Sequence, residues 1–302
     1  MSSAYYVAII DGTGPYSDQQ YSRDFEFSFL HQLAKALGRT RCSYFPGPGT
    51  IGLTTRSKAN LAVEALHTRR EQNRACKLFI AGYSRGGAAA MEVAKMCAYY
   101  RADPEDYRIV PETIPIEGLF LLDPVSKDVF CTGGGITQNV KTTYVMYRDK
   151  KIWEYSPVLK TEDFESYTDK TLAVGFNAVG KNDPDRYARK FMENAYPTME
   201  TGNSRTRLVD YGAISGASHG AIGGMPWVER WEDQEPCEKA ASVFSAWLGA
   251  NGINVRVRDK SYTEANKKAY PRVTEAETRA RLVREAQEAV ERAKPLRRGR
   301  DW

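Results

Sequence analysis

The stretch LFIAGYSRGGAAAMEV, Leu78 to Val93, decides how this chain is read. An apolar run enters a serine, and a row of small residues leaves it. Gly82, Ser84 and Gly86 match G-x-S-x-G, set between a strand-like segment and a helix-like one. That pattern puts a serine on a sharp, strained turn at the top of a sheet, with its hydroxyl exposed to chemistry. Glycines two before and two after the serine let strand and helix pass without a Cβ clash. Gly87 and the alanines at 88–90 extend the close approach, and the helix N-terminus adds partial positive charge beside the serine.

Outward from Ser84, strands and helices alternate. The segments 4–11, 41–45, 77–82, 117–123, 142–149 and 206–215 are short and apolar and read as strands. Helical spacing marks 24–38, 57–73 (with Ser57 as N-cap), 85–100 and 237–249. The order implies an α/β fold: a doubly wound, mostly parallel sheet of about six strands. Ligands on such sheets bind at the carboxyl ends of the strands, so the loops after Asp11, Gly82, Asp123, Asp149 and Ser215 converge on one edge.

A serine hydroxyl needs a histidine base, itself oriented by a carboxylate. The chain has three histidines, and the order serine, acid, histidine leaves one candidate. His31 and His67 precede Ser84 and lie in predicted helices. His219 follows it in a small-residue loop just past the sixth strand. Two acids compete for the third place. Asp123 closes the fourth strand before Pro124, and Asp149 closes the fifth between Arg148 and Lys150, which would also satisfy it as a surface ion. An oxyanion hole draws on the N–H of Arg85 and on one from the loop after the first strand, at Gly12 or Thr13. Asp11 organises that loop. A GxGxxG run at 47–52 is a decoy, because Pro48 interferes with a phosphate turn and the next helix starts too late. No metal or cofactor is called for.

Five landmarks stand in one order: IIDGTG (9–14), YFPGPGT (44–50), GYSRGG (82–87), LLDPV (121–125) and SHGAIGG (218–224). Together they resemble the bacterial α/β-hydrolase family that includes the type VI secretion lipase effectors and their relatives. The resemblance runs from about Tyr5 to Gly224 and is most specific at the elbow with arginine after the serine. It implies Ser84 as nucleophile, Asp123 as acid and His219 as base, acting on carboxylic esters, often those of phospholipids. It also favours Asp123 over Asp149. The chain departs from the family pattern at Gly220 and has no counterpart in it after Asn251.

Two segments stand outside the alternation. Residues 151–205 carry eight aromatic residues and no clear period, and they read either as a cap over the site or as a satellite cluster on the body. Residues 251–302 hold 14 Lys/Arg against 8 Asp/Glu, which leaves the first 250 residues at −1 of the overall +5. The basic character is the tail's, so the body offers no nucleic-acid surface. A helix expected over 274–294 has a narrow alanine-valine stripe and ends at Pro295. Such a tail is a solvated face, a protein-docking element or a binder of acidic lipid headgroups.

The 302 residues include 42% hydrophobic and 27% charged ones, a folded-domain composition. The first 250 residues form the hydrolase-like domain and the rest the tail. Five scattered cysteines without a CxxC pair argue against a disulfide framework or zinc site and suit a reducing cytoplasm. The N-terminus lacks the basic region of a signal peptide, so the reading is cytoplasmic as synthesised, with export open only to a signal-independent route. The leading function is a serine esterase or lipase. A non-catalytic binding module on the same scaffold, or an esterase or thioesterase of small soluble substrates, are the competing readings.

Overall fold

A computed structural model describes residues 4–12, 21–22, 25–47, 55–100, 112–125, 136–149, 206–225 and 234–260. The aromatic segment 151–205, Thr13 and the expected helix at 274–294 lie outside them. Six strands form one sheet: β1 (Tyr5–Ile10), β2 (Cys42–Phe45), β3 (Lys77–Tyr83), β4 (Ile116–Leu122), β5 (Val140–Tyr147) and β6 (Arg207–Ala213). Their order is β2-β1-β3-β4-β5-β6 and every pairing is parallel. The helices are α1 (Phe29–Leu37), α2 (Thr55–Gln72), α3 (Arg85–Ala98), the short α4 (His219–Gly223) and α5 (Gln234–Ala250).

The sheet is apolar on both faces because helices cover both. Val7, Ile9, Phe79, Ala81, Phe120 and Leu122 point to one side, against Phe29, Leu30 and Leu33 of α1 and Phe244 and Leu248 of α5. Their alternate neighbours Ala8, Ile10, Leu78, Ile80, Leu119 and Leu121 point to the other. There they meet Ala62, Val63 and Leu66 of α2 and Ala90, Val93 and Ala94 of α3. The period-2 alternation of strand side chains thus divides the chain into two cores. This doubly wound, all-parallel architecture is the one expected from the element order.

Helix α1 begins at Phe29, five residues later than expected, and three further differences bear on the packing around the site. Helix α2 begins at the wholly buried Thr55, so Ser57 lies in its first turn and is not its cap. Strand β5 leaves the sheet at Tyr147, two residues before Asp149. The chain also stays on the body past Ala250: Ile253 and Val257 enter the first core, and Gln32 exchanges two hydrogen bonds with the backbone of Arg258, at 2.8 and 3.1 Å. No helix among the described residues is long and apolar enough to cross a membrane.

Candidate active site

Ser84 sits between the last residue of β3 and the first of α3, with φ 57° and ψ −128°. A non-glycine residue rarely adopts that conformation, and its cost is carried by surrounding bonds. The Ser84 N–H donates to the Leu122 carbonyl at 3.1 Å, and the Ser84 carbonyl accepts from Gly87 and Val125, both at 2.9 Å. The flanking glycines are sterically required. A Cβ on Gly86 would stand 2.2 Å from the Asp11 carbonyl oxygen, and one on Gly82 would stand 2.4 Å from that of Gly86.

Asp123 is the first residue past β4, and its φ of 42° is the other positive value among the described non-glycine residues. Its N–H donates to the Met146 carbonyl at 2.8 Å, which fixes the turn against the end of β5. The side chain is wholly buried. His219 opens α4, whose N-cap Ser218 accepts from the Ala221 N–H at 3.2 Å. His219 Nδ1 lies 2.5 Å from Asp123 Oδ2, and Nε2 lies 2.8 Å from Ser84 Oγ. With its proton on Nδ1, the ring donates to Asp123 and accepts from the serine hydroxyl. The five-landmark order therefore brings Ser84, Asp123 and His219 into one hydrogen-bonded chain.

Asp149, the alternative acid, has another task. Its Oδ2 accepts from the Gly216 N–H at 3.0 Å, and its own N–H donates to the Ala217 carbonyl at 2.9 Å. It braces the loop that carries His219, while Asp123 takes the ring nitrogen an acid would orient. The physical reason is strand order: β4 is the immediate neighbour of β3, and β5 is one strand further away.

In sequence Arg148 reads as a surface counter-ion of Asp149, and the fold takes it elsewhere. Its guanidinium is buried, with Nε 2.6 Å from Asp123 Oδ2, the same oxygen that meets His219. Its backbone N–H donates to Asp123 Oδ1 at 3.3 Å. Burial alone pushes the Asp123 carboxyl up, but Arg148 and then His219 outweigh it and hold the group below its ordinary range. The His219 pKa is lowered, first by burial and then by Arg148, with Asp123 opposing. The imidazole is thus neutral at neutral pH, the form a base requires.

The loop after β1 is held by Asp11. Its carboxylate accepts from Ser28 Oγ at 2.5 Å, from Tyr44 Oη at 2.9 Å and from the Gly12 N–H at 2.8 Å. Burial raises its pKa to about 6, against the pull of those three donors. The Gly12 amide is therefore turned to Asp11, which argues against it as the second oxyanion donor. Tyr21 donates to the Gly12 carbonyl. Arg85 holds the first position of α3, where helix N–H groups lack intrahelical acceptors.

His31 packs edge-on to Tyr44 and His67 stacks on Tyr100. Of the GxGxxG run, only Gly47 falls in the described residues. On the surface, His67, Glu71 and Glu112 bring one ligand atom each within 4.8 Å of one another, a place that could hold an ion, although Glu112 also lies 3.6 Å from Arg70.

No protein-family model and no curated protein matches the chain. Solved structures of α/β-hydrolase-type enzymes are similar to it in part. A cutinase-like protein from Cryptococcus sp. is 12% identical, covering 84% of this chain and 98% of that one at a TM-score of 0.35. The siderophore hydrolase EstB from Aspergillus fumigatus is 16% identical, covering 98% and 93% at 0.34. An uncharacterized protein from Pseudomonas aeruginosa is 14% identical, covering 94% and 51% at 0.43. The sheet order and the Ser84 turn, rather than likenesses this distant, define the architecture.

Proposed function

We propose that this chain is a serine hydrolase of carboxylic esters, working through Ser84, His219 and Asp123. The observation that carries the reading is the continuous relay of 2.8 and 2.5 Å from a strained serine through one imidazole to a buried carboxylate. His219 Nε2 takes the Ser84 proton as Oγ attacks the ester carbonyl carbon. The tetrahedral oxyanion is held by the Arg85 N–H and by a donor from the β1 loop, for which Thr13 is the candidate once Gly12 is committed to Asp11. As the intermediate collapses, His219 returns the proton to the departing alcohol and leaves an acyl-Ser84. Water, deprotonated by the same imidazole, then releases the carboxylic acid and restores the serine.

Lipid esters, phospholipids included, are the substrate class we favour. The resemblance to lipase effectors supports it, as does the aromatic content of residues 151–205. In this reading the basic tail supplies attraction to an anionic membrane surface. A fluorophosphonate probe tests the core of the proposal: the wild type is labelled and Ser84→Ala is not. A folded wild type that resists the probe overturns it. A panel of short acyl esters and phospholipids, run beside Ser84→Ala, then assigns the substrate.

A further inference from the structure

Three groups meet on Asp123, and the three-residue relay uses only one of them. We propose that Arg148 is a positioning residue of the catalytic array, its guanidinium holding Asp123 ionised and oriented on the very oxygen that orients His219. The inference rests on the triad reading above.

The geometry makes the case. Asp123 is wholly buried and Arg148 has 3% of its side chain exposed, so neither charge is solvated by bulk water. A buried carboxylate beside a neutral imidazole alone is costly, and an adjacent ion-paired cation offsets that cost. Arg148 reaches the carboxylate by register. Met146 pairs with Leu122 across the β4–β5 ladder, and two residues further on the chain has left β5. There Arg148 grips both carboxylate oxygens, by its backbone N–H on Oδ1 and its side chain on Oδ2. This grip and the Met146 contact stabilise a residue whose φ is positive.

A chemical consequence follows. Before attack, Asp123 and Arg148 carry opposite charges, which sum to zero. When His219 takes the serine proton, its ring becomes a second cation against the oxygen that Arg148 already faces. Arg148 therefore disfavours the imidazolium and keeps His219 neutral at lower pH, at some loss of the stabilisation Asp123 would give. The other groups facing the ring do not supply that effect. Tyr83, from β3, is a neutral phenol, because burial and Asp123 push its pKa well up. Ser84 is uncharged. Asp149 is turned to Gly216, and the Asp11 carboxylate to Gly12, Ser28 and Tyr44.

The test is the pH dependence of fluorophosphonate labelling in wild type, Arg148→Lys and Arg148→Gln, with Ser84→Ala as blank. The acid limb should lie below pH ~6.5 in wild type, the ordinary histidine value. It should rise by about one unit in Arg148→Gln, the size of shift a charge at this distance imparts. One unit below its own limb, each protein should keep roughly a tenth of its plateau labelling. Arg148→Lys, which keeps the charge, should keep the limb near its wild-type position. A purely structural arginine would lower the plateau of both variants without moving either limb, and an unmoved limb in folded Arg148→Gln overturns the inference. Should that variant not fold, or should wild type take no label and so fail the hydrolase reading itself, NMR titration of His219 decides. A wild-type ring pKa at or above ~6.5 overturns the role given to Arg148.

Discussion

Tyr83 holds His219 twice. Its ring stacks on the imidazole with centroids 4.9 Å apart, and its hydroxyl donates to the His219 carbonyl at 3.0 Å. The residue before the serine thus fixes the histidine, so the elbow positions two members of the array. Gly223 makes room, since a Cβ there would lie 2.3 Å from the Tyr83 ring. Tyr83→Phe keeps the stack and loses the bond. It should cost ~1 kcal/mol of stability and slow labelling several-fold. Tyr83→Ala should cost about 3–5 kcal/mol through the cavity it leaves and slow labelling much further. Thermal melts and labelling rates measure both, and a Phe variant as slow as the Ala variant would show the stack to be irrelevant.

The strain at Ser84 has a measurable sign. Ser84→Ala and Ser84→Gly both lack the hydroxyl and should both be inert to the probe. Only glycine relieves a φ of 57°. Relief of such a conformation is worth about 1–3 kcal/mol, partly offset by glycine's larger unfolded-state entropy of ~0.4–1 kcal/mol. Ser84→Gly should therefore be more stable than Ser84→Ala by on the order of 1 kcal/mol. Urea denaturation of the pair decides, and equal midpoints would mean that the turn stores no strain.

The elbow was legible because its requirement is local: Gly82 and Gly86 stand where a Cβ would strike backbone. His219 was legible by elimination, as the one histidine after Ser84. The choice between Asp123 and Asp149 was harder. Both close apolar strands, and the answer depends on which strand lies beside β3, a tertiary fact. Arg148 was illegible for the same reason. Beside Asp149 it reads as half of a surface pair, whereas the end of β5 lies against Asp123. Gly12 reads as an oxyanion donor from its place in the loop, and its bond to the Asp11 carboxylate is again a tertiary fact.

Conservative amides should separate the two acids. Asp123→Asn loses the charge and lets His219 take the wrong tautomer, a change worth ~10⁴-fold in kcat where such triads operate. Asp149→Asn keeps an oxygen able to accept from the Gly216 N–H and should stay within a few-fold of wild type. Asp149→Ala removes that acceptor and should loosen the loop before His219, with a loss of roughly tenfold, since small displacements of a positioned base are costly. Ester turnover of the three variants checks the order. Asp149→Asn falling as far as Asp123→Asn would exchange their roles.

Asp11 makes stability fall as pH rises through the acid range. Its folded pKa is about 6 and the ordinary value is 3.8, so the native state binds this proton more tightly than the unfolded chain does. Between these values the native state holds more protons, and stability drops with increasing pH until the group is ionised in both states. Above pH ~6 the penalty is constant, on the order of 3 kcal/mol for a shift of about two units. Asp11→Asn does not titrate, so its stability should lack this downward slope between pH ~4 and ~6. It also exchanges one acceptor oxygen for an NH₂ among Ser28, Tyr44 and Gly12, so at least one of their donors loses its partner. Its stability at pH 7 therefore reflects two opposed changes, and the slope is the cleaner readout. Urea denaturation of both proteins from pH 4 to 8 measures it. Parallel curves would mean that Asp11 is already ionised at pH 4 in the folded protein, its three donors having outweighed burial.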